Sequence, residues 1–278
     1  MDGDVPLPDF WVTRRMLPRA IPTAFDRAMG NGRTKPALLV CENEAGEEVE
    51  LVTKFSANCD EGVTNLAREV IAACLAADLG LPIPTPYLVD VTPAWATCVS
   101  DAAYRVSIQR SAPVAFGSRF VGPQFSAWNT GATLRPAMIP MALSIFAFDA
   151  IIQNPDRRSE NPNCLVRGDA LRIFDHELAF AHRLIVGWKP PWTRGSLQPL
   201  ETPGFHIFRR KLRGENLDFS VVRESWMQLS DSQVDGYAAA IPAEWAAAAA
   251  GVSSSVDLIK EARDRIDACI TEIQRVLA

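Results

Sequence analysis

Residues 154–177 read Asn-Pro-Asp-Arg-Arg-Ser-Glu-Asn-Pro-Asn-Cys-Leu-Val-Arg-Gly-Asp-Ala-Leu-Arg-Ile-Phe-Asp-His-Glu, and this spacing leaves the segment little conformational choice. Cys164–Val166 and Leu171–Phe174 are strand-like runs, and Gly168-Asp169 between them is a two-residue turn with glycine in the first place. Pairing outward from that turn sets Arg167 opposite Ala170 and Val166 opposite Leu171. The ends then bring Asn161–Asn163 beside Phe174–His176. A carboxamide and a carboxylate distant in sequence, Asn161 and Asp175, thus meet, with the loop carboxylate Asp156 just upstream. Hard oxygen donors beside a second acid suit a Mg²⁺–phosphate site with an adjacent base.

With 278 residues, the chain can bury a substantial core as one bilobal unit or two small domains. Its net charge of -5 argues against a broad basic surface for nucleic acid. The six cysteines form no CxxC pair, and no histidine stands at zinc-finger spacing. Reduced thiols in a cytoplasmic protein are the expectation. Three scattered histidines without HExxH leave no plausible zinc set, and neither GxSxG nor GxxxxGK[ST] occurs. Met1-Asp2-Gly3-Asp4 is acidic and lacks a hydrophobic signal core. The most apolar run, Ala137–Phe148, is too short to cross a bilayer. A soluble protein without a membrane element is expected.

Along the chain, residues 1–35 read as irregular, with Arg14, Arg15, Arg19 and Arg27 and the turn-rich Gly30-Asn31-Gly32-Arg33. Pro36–Cys41 and Glu47–Phe55 read as paired strands joined through Asn43–Gly46. In the second, Val49, Leu51, Thr53 and Phe55 share one face while Lys54 lies on the other with Val52. A helix is expected from about Val63 to Leu79, stopped by Gly80 and Pro82. Glu69 lies on its small-residue face with Ala72, Ala73 and Ala76, where a buried acid needs a cationic partner. Tyr87–Val91 and Val114–Val121 read as strands, with a helical stretch over Thr92–Gln109 between them. Gly122-Pro123 marks the lobe boundary. The apolar helix Leu134–Ile152 leads into the Asp156 loop. The last part is helical: Asp231–Ile241, a turn near Trp245, and a final amphipathic helix over Val256–Leu277.

Several stretches together resemble the HipA-like kinase domain family. They are Glu50-Leu51-Val52-Thr53-Lys54-Phe55, Arg68-Glu69-Val70-Ile71 with Leu79-Gly80-Leu81-Pro82-Ile83-Pro84, Asn154-Pro155-Asp156-Arg157-Arg158 with Asn161-Pro162-Asn163, Phe174-Asp175-His176, and Ile241-Pro242-Ala243-Glu244-Trp245. That family is related in fold to the HipA serine/threonine kinases and the phosphatidylinositol 3- and 4-kinases. The resemblance implies an α+β, two-lobed protein-kinase-like fold: a β-rich N-lobe over 1–121 with one main helix, and a mostly helical C-lobe over 122–278. It implies ATP and Mg²⁺ as cofactors and a protein serine or threonine as acceptor, with a protein substrate and a cognate regulator as partners.

On this resemblance Asp156 activates the acceptor hydroxyl, and Asn161 or Asn163 holds Mg²⁺ with Asp175. Lys54, oriented by Glu69, contacts the α- and β-phosphates. Gly30 and Gly32 form a loop over the phosphates, though no full GxGxxG is present. Arg157 and Arg158 are candidates for γ-phosphate charge, but as neighbours they do not point the same way, so one of them is structural. His176 stands where many kinases have Phe-Gly. His182 and His206 carry no functional signal. The leading alternative is a nucleotide-binding pseudokinase serving as an interaction module; a lipid-type kinase is another. Autophosphorylation is a further reading, with Ser118 and Ser126 near the lobe junction and neither marked as the target.

Overall fold

The computed structural model describes residues 16–30, 33–129 and 131–278. The chain is a mixture of strands and helices, and its residues fall into two units. Of the described residues, one unit comprises those up to Val70, Pro84–Val121 and Gly236–Val252; the other comprises Ile71–Ile83, Gly122–Asp235 and Ser253–Ala278.

The first unit is built on five strands: β1 (Arg19–Ala28), β2 (Ala37–Asn43), β3 (Glu48–Lys54), β4 (Pro86–Asp90) and β5 (Val114–Arg119). They close into a barrel in the order β1-β2-β3-β5-β4, with β1 and β4 parallel and the other pairs antiparallel. Alternation dictates the inside. Val49, Leu51 and Thr53 of β3 are buried, and the first two join Leu39, Cys41, Phe55, Val89 and Ala115 in the apolar interior. β1 overturns the expectation of an irregular segment through residue 35. Its pairing with β2 slips between Pro22 and Ala24 and again between Phe25 and Arg27. Two such irregularities break the period-two pattern that would have announced a strand.

Helix α1 runs Val63–Asp78. Its end is closed by Leu81 N–H on the Ala76 carbonyl (2.8 Å) and Gly80 N–H on that of Ala77 (3.0 Å). The stretch after β4 is two helices rather than one, α2 (Pro93–Cys98) and α3 (Ala102–Arg110). Thr92 and Asp101 each cap one of them through a side-chain oxygen, and the second cap marks the interruption. Trp245 is fully buried in this unit and donates its indole N–H to the Val114 carbonyl at 3.0 Å.

The second unit carries a small antiparallel sheet, β6 (Ser126–Ala127), β7 (Cys164–Arg167) and β8 (Ala170–Ile173). The expected register holds: Arg167 pairs with Ala170, Val166 with Leu171 and Cys164 with Ile173. Gly168 supplies the positive φ (58°) that the turn needs. Helix α4 (Ile139–Ile152) is buried from Ile145 to Ile152, and within that buried stretch it is apolar all round except at Asp149. Five further helices follow along the chain, α5 (Arg209–Leu212), α6 (Ser220–Met227), α7 (Asp231–Ala239), α8 (Ala249–Asp264) and α9 (Ile266–Leu277), of which α7 and α8 are divided between the two units. The single final helix expected over Val256–Leu277 is therefore two. The backbone leaves helical geometry at Arg265 (φ −120°, ψ 27°), and neither Gly nor Pro marks the spot in the sequence. No helix among the described residues is long and apolar enough to cross a membrane. All six cysteines are free thiols.

Close approach of strands fixes one glycine. A Cβ on Gly117 of β5 would lie 2.8 Å from Val89 Cγ2 and 3.3 Å from Leu51 Cδ1. Gly117→Ala is expected to cost about 1–3 kcal/mol by overpacking the barrel. Urea denaturation checks it: a lower midpoint with an unchanged slope is the expected result.

Candidate functional site

The polar centre of the second unit grows from the carboxyl end of α4. Asp149 is the one charged residue in that helix, and it is completely buried. Gln153 ends the helix in a left-handed conformation (φ 56°), which turns the chain into the 154–163 loop. Asn154 then folds back on the helix. Its side-chain amide donates to Asp149 Oδ1 (2.8 Å) and its backbone N–H to the Asp149 carbonyl (2.9 Å). Its own Oδ1 accepts the backbone N–H of Asp156 at 3.1 Å.

Arg157 is the largest surprise of the loop. Its side chain is 0% exposed, so it is the structural member of the Arg157–Arg158 pair. Nε donates to Asp149 Oδ2 at 2.6 Å and Nη2 to Oδ1 at 3.2 Å, a two-pronged ion pair. Nη1 donates to the carbonyl of Asn163 and, at 3.4 Å, to that of Phe174. Nη2 also lies 2.8 Å from His176 Nε2. A guanidinium only donates, so His176 Nε2 accepts, and the ring proton of its neutral form sits on Nδ1.

His206 completes the cluster. Its Nε2 lies 3.0 Å from Asp149 Oδ2, while its Nδ1 accepts the backbone N–H of Phe208 at 3.1 Å. The proton is therefore on Nε2, donated to the carboxylate. Burial holds the His206 imidazole below its ordinary pKa, against the pull of Asp149. Burial alone would push the Asp149 carboxyl up. The Arg157 charge and the His206 hydrogen bond overcome it and hold Asp149 well below the usual carboxylate range.

The expected site residues of this unit sit around that cluster. Asp156 Oδ2 accepts two carboxamide donors, Asn161 Nδ2 at 2.7 Å and Asn163 Nδ2 at 3.2 Å. Asn161 is exposed and Asn163 buried. Asn163 immediately precedes β7, and its carbonyl accepts Phe174 N–H at 3.2 Å, which ties it to the residue before Asp175. Partial burial, and then the neighbouring Asp175 charge, raise the Asp156 carboxyl above its ordinary value. Asn163 (φ 42°) and Asp175 (φ 62°) both lie in the left-handed region, a strained choice that recurs at functional sites. Asp175 and Glu177 present carboxylate oxygens within 4.8 Å of each other. Hard oxygen donors of this kind fit a divalent cation such as Mg²⁺. Arg158 donates Nε to the Pro155 carbonyl (2.6 Å) and lies 4.4 Å from the Phe205 ring centroid.

The first unit holds its own ion pair. Lys54, on the face of β3 opposite Leu51 and Thr53, donates to Glu69 Oε1 at 2.5 Å, and their side chains are 9% and 3% exposed. The acid on the small-residue face of α1 thus has its cationic partner. Gly30 is exposed in the turn that joins β1 to β2, and Gly32 lies outside the described residues.

Sequence reasoning missed Asp149, Asn154, His206 and Glu177. Asp149 had a signal, since one carboxylate in an otherwise apolar helix demands a buried cation. His206 had none.

Breaking the pair should be costly, because a buried charge is left without its partner. Asp149→Ala is expected to lose about 3–5 kcal/mol. The pH dependence follows from the depressed pKa. A carboxyl lowered on folding contributes stability above its unfolded pKa of about 4, and that contribution fades as pH falls further towards the folded value. Urea midpoints from pH 7 down to 2.5 should show the gap between wild type and variant closing only below about pH 4.

Comparison with known protein families matches residues 24–273, most of the chain, to the HipA-like kinase family. No curated protein matches the chain.

Proposed function

We infer that this chain, which belongs to the HipA-like kinase family, transfers the γ-phosphate of ATP to a serine or threonine hydroxyl of a protein, its own chain included. Membership makes it a kinase-type phosphotransferase. The family implies ATP with a divalent cation. The acceptor class and the role of each residue are the further steps of the proposal.

One observation carries the reading. A half-buried carboxylate, Asp156, receives two carboxamides on one oxygen while its pKa is held above the ordinary value. The group is fixed in place and readier than an ordinary carboxylate to take a proton, which is what an acceptor-activating base requires. We assign Asp156 to receive the acceptor's proton as the hydroxyl attacks. Asp175 and Asn163 would hold Mg²⁺, with Asn161 at the rim; Asn163 is favoured because its carbonyl is tied to the backbone N–H of Phe174, the residue before Asp175. The cation, when bound, shields phosphate charge. To the first unit we assign the phosphate contact by Lys54, held in its rotamer by Glu69, with Gly30 and Gly32 in the loop over the nucleotide. Arg158 would meet phosphate charge from the other side of its stack on Phe205. On this reading residues 1–121 serve as the phosphate-positioning N-lobe and 122–278 as the catalytic C-lobe, except that Ile71–Ile83 groups with the second unit and Gly236–Val252 with the first. The free thiols suit a reducing cytoplasm.

Two substitutions test the assignment. Asp175→Ala should abolish the Mg²⁺-dependent rise in melting temperature that ATP gives the wild type; an unchanged rise would remove Asp175 from the metal site. Asn163→Ala should weaken that rise more than Asn161→Ala does.

Asp156→Asn should still bind Mg·ATP yet transfer phosphate some 10²–10⁴-fold more slowly, the contribution expected of a positioned base. Wild-type turnover would sink this role. Binding without any phosphorylated product from the wild type, across a broad acceptor panel, would instead favour a nucleotide-binding interaction module. The same variant makes a stability prediction without nucleotide or metal. A carboxyl whose pKa is raised on folding contributes stability only below its unfolded value of about 4, and the charged form costs stability above it. At pH 7 Asp156→Asn should therefore melt at or above the wild type, since an amide oxygen can accept both carboxamide donors. The difference should vanish below about pH 4.

A further inference from the structure

Asp156 and Asn163 on the 154–163 loop, and Phe174 next to Asp175, are all fastened to the same buried carboxylate. The first route runs from Asp149 Oδ1 through the Asn154 amide to the backbone N–H of Asp156. The second runs from both Asp149 oxygens through Arg157, whose Nη1 grips the carbonyls of Asn163 and Phe174. Asp149 Oδ2 itself is held by His206, from a loop 57 residues downstream. That loop is laced back by Ile207 N–H on the Arg157 carbonyl at 3.1 Å.

We propose that Asp149, Arg157 and His206 form a positioning relay, in which His206 fixes the carboxylate that sets both the orientation of Asp156 and the spacing between Asn163 and Asp175. None of the three touches the reacting groups; they act through the backbone they hold. A carboxylate with two oxygens and four side-chain donors has no slack: Asn154 and Arg157 share Oδ1, Arg157 and His206 share Oδ2. Removing the His206 donor leaves the carboxylate free to swing about χ2. The Arg157 fork must follow it, and the two carbonyls on the other side of the fork move as well. His206 suits this task because its tautomer is set from behind by Phe208 N–H and its ring is wedged edge-on against Phe146, 4.7 Å between centroids. The catalytic consequence rests on the phosphotransferase reading; the ordering of the loop does not.

The test compares His206→Leu with His206→Gln, which keeps an N–H donor, and with Arg157→Lys, which keeps the charge but has no fork for two carbonyls. Hydrogen exchange is followed in peptides covering 154–164 and 172–177, and Mg²⁺ is titrated against the ATP-induced melting shift. His206→Leu should speed exchange in both peptides and raise the Mg²⁺ midpoint by about 10–100-fold, the usual cost of losing a group that orients metal ligands. His206→Gln should restore most of both effects. Arg157→Lys should reproduce the leucine pattern, and it stands in if the leucine variant does not fold. A fall in melting temperature with exchange in both peptides and the Mg²⁺ midpoint unchanged would show a merely structural histidine and overturn the relay. Faster exchange in a protein whose wild type ignores Mg·ATP would uphold the relay as a loop-ordering device and sink the phosphotransferase reading.

Discussion

The second unit turns on the fully buried ion pair between Asp149 and Arg157. Placing either charge alone in that position would cost several kcal/mol in lost hydration. Together with two-pronged geometry and a full set of hydrogen bonds, they form a neutral cluster that the apolar α4 can surround. The pair is a weak source of net stability by comparison with well-packed hydrocarbon. Its value lies in direction. A leucine at 157 could fill the volume but could not grip two backbone carbonyls and a histidine at defined angles.

That directional role accounts for the backbone around it. Asn163 and Asp175 adopt positive φ, a conformation costly for a residue with a side chain and least so for Asn and Asp. Phe174 N–H on the Asn163 carbonyl, and the Arg157 fork on the Asn163 and Phe174 carbonyls, fasten these two kinks to each other. The carboxylate of Asp175 and the carboxamide of Asn163 are thus placed by main-chain geometry rather than by side-chain rotamers alone. The first unit uses a different device for its own polar pair. Lys54 projects from the side of β3 opposite its barrel-facing residues, and the alanine-lined face of α1 leaves room for Glu69 to meet it.

How much of this was legible follows from how local each signal is. The β7–β8 hairpin could be read because its turn, its two strands and their register lie within ten residues. The convergence of Asn163 with Phe174 followed from that register. The Lys54–Glu69 pair was legible in two steps: helix periodicity put Glu69 on an alanine face that demands a cation, and the family resemblance pointed to Lys54 as that cation. β1 could not, since two register slips erase its alternation. The break at Arg265 could not, because no residue type demands it. The relay was hidden for a third reason: Asp149, Arg157 and His206 are brought together by tertiary packing across 57 residues, and no pattern in one sequence records such a meeting. Arg157 could be read only as far as saying that one arginine of the pair had to be structural.

The same distinction bears on what can vary within such a site. Groups that meet substrate directly are constrained by chemistry: a base must be a carboxylate or its equal, and a metal ligand must offer a hard oxygen. Groups that hold the backbone are constrained by donor geometry instead. Position 206 needs one N–H aimed at Asp149 from a ring-sized body, and position 154 needs an amide that donates with one end and accepts with the other. Position 157 is the strictest of all, because only a guanidinium offers enough donors in one plane to serve a carboxylate, two carbonyls and an imidazole at once. Arg157 is thus held to its type by geometry alone, sealed from solvent at the centre of the cluster.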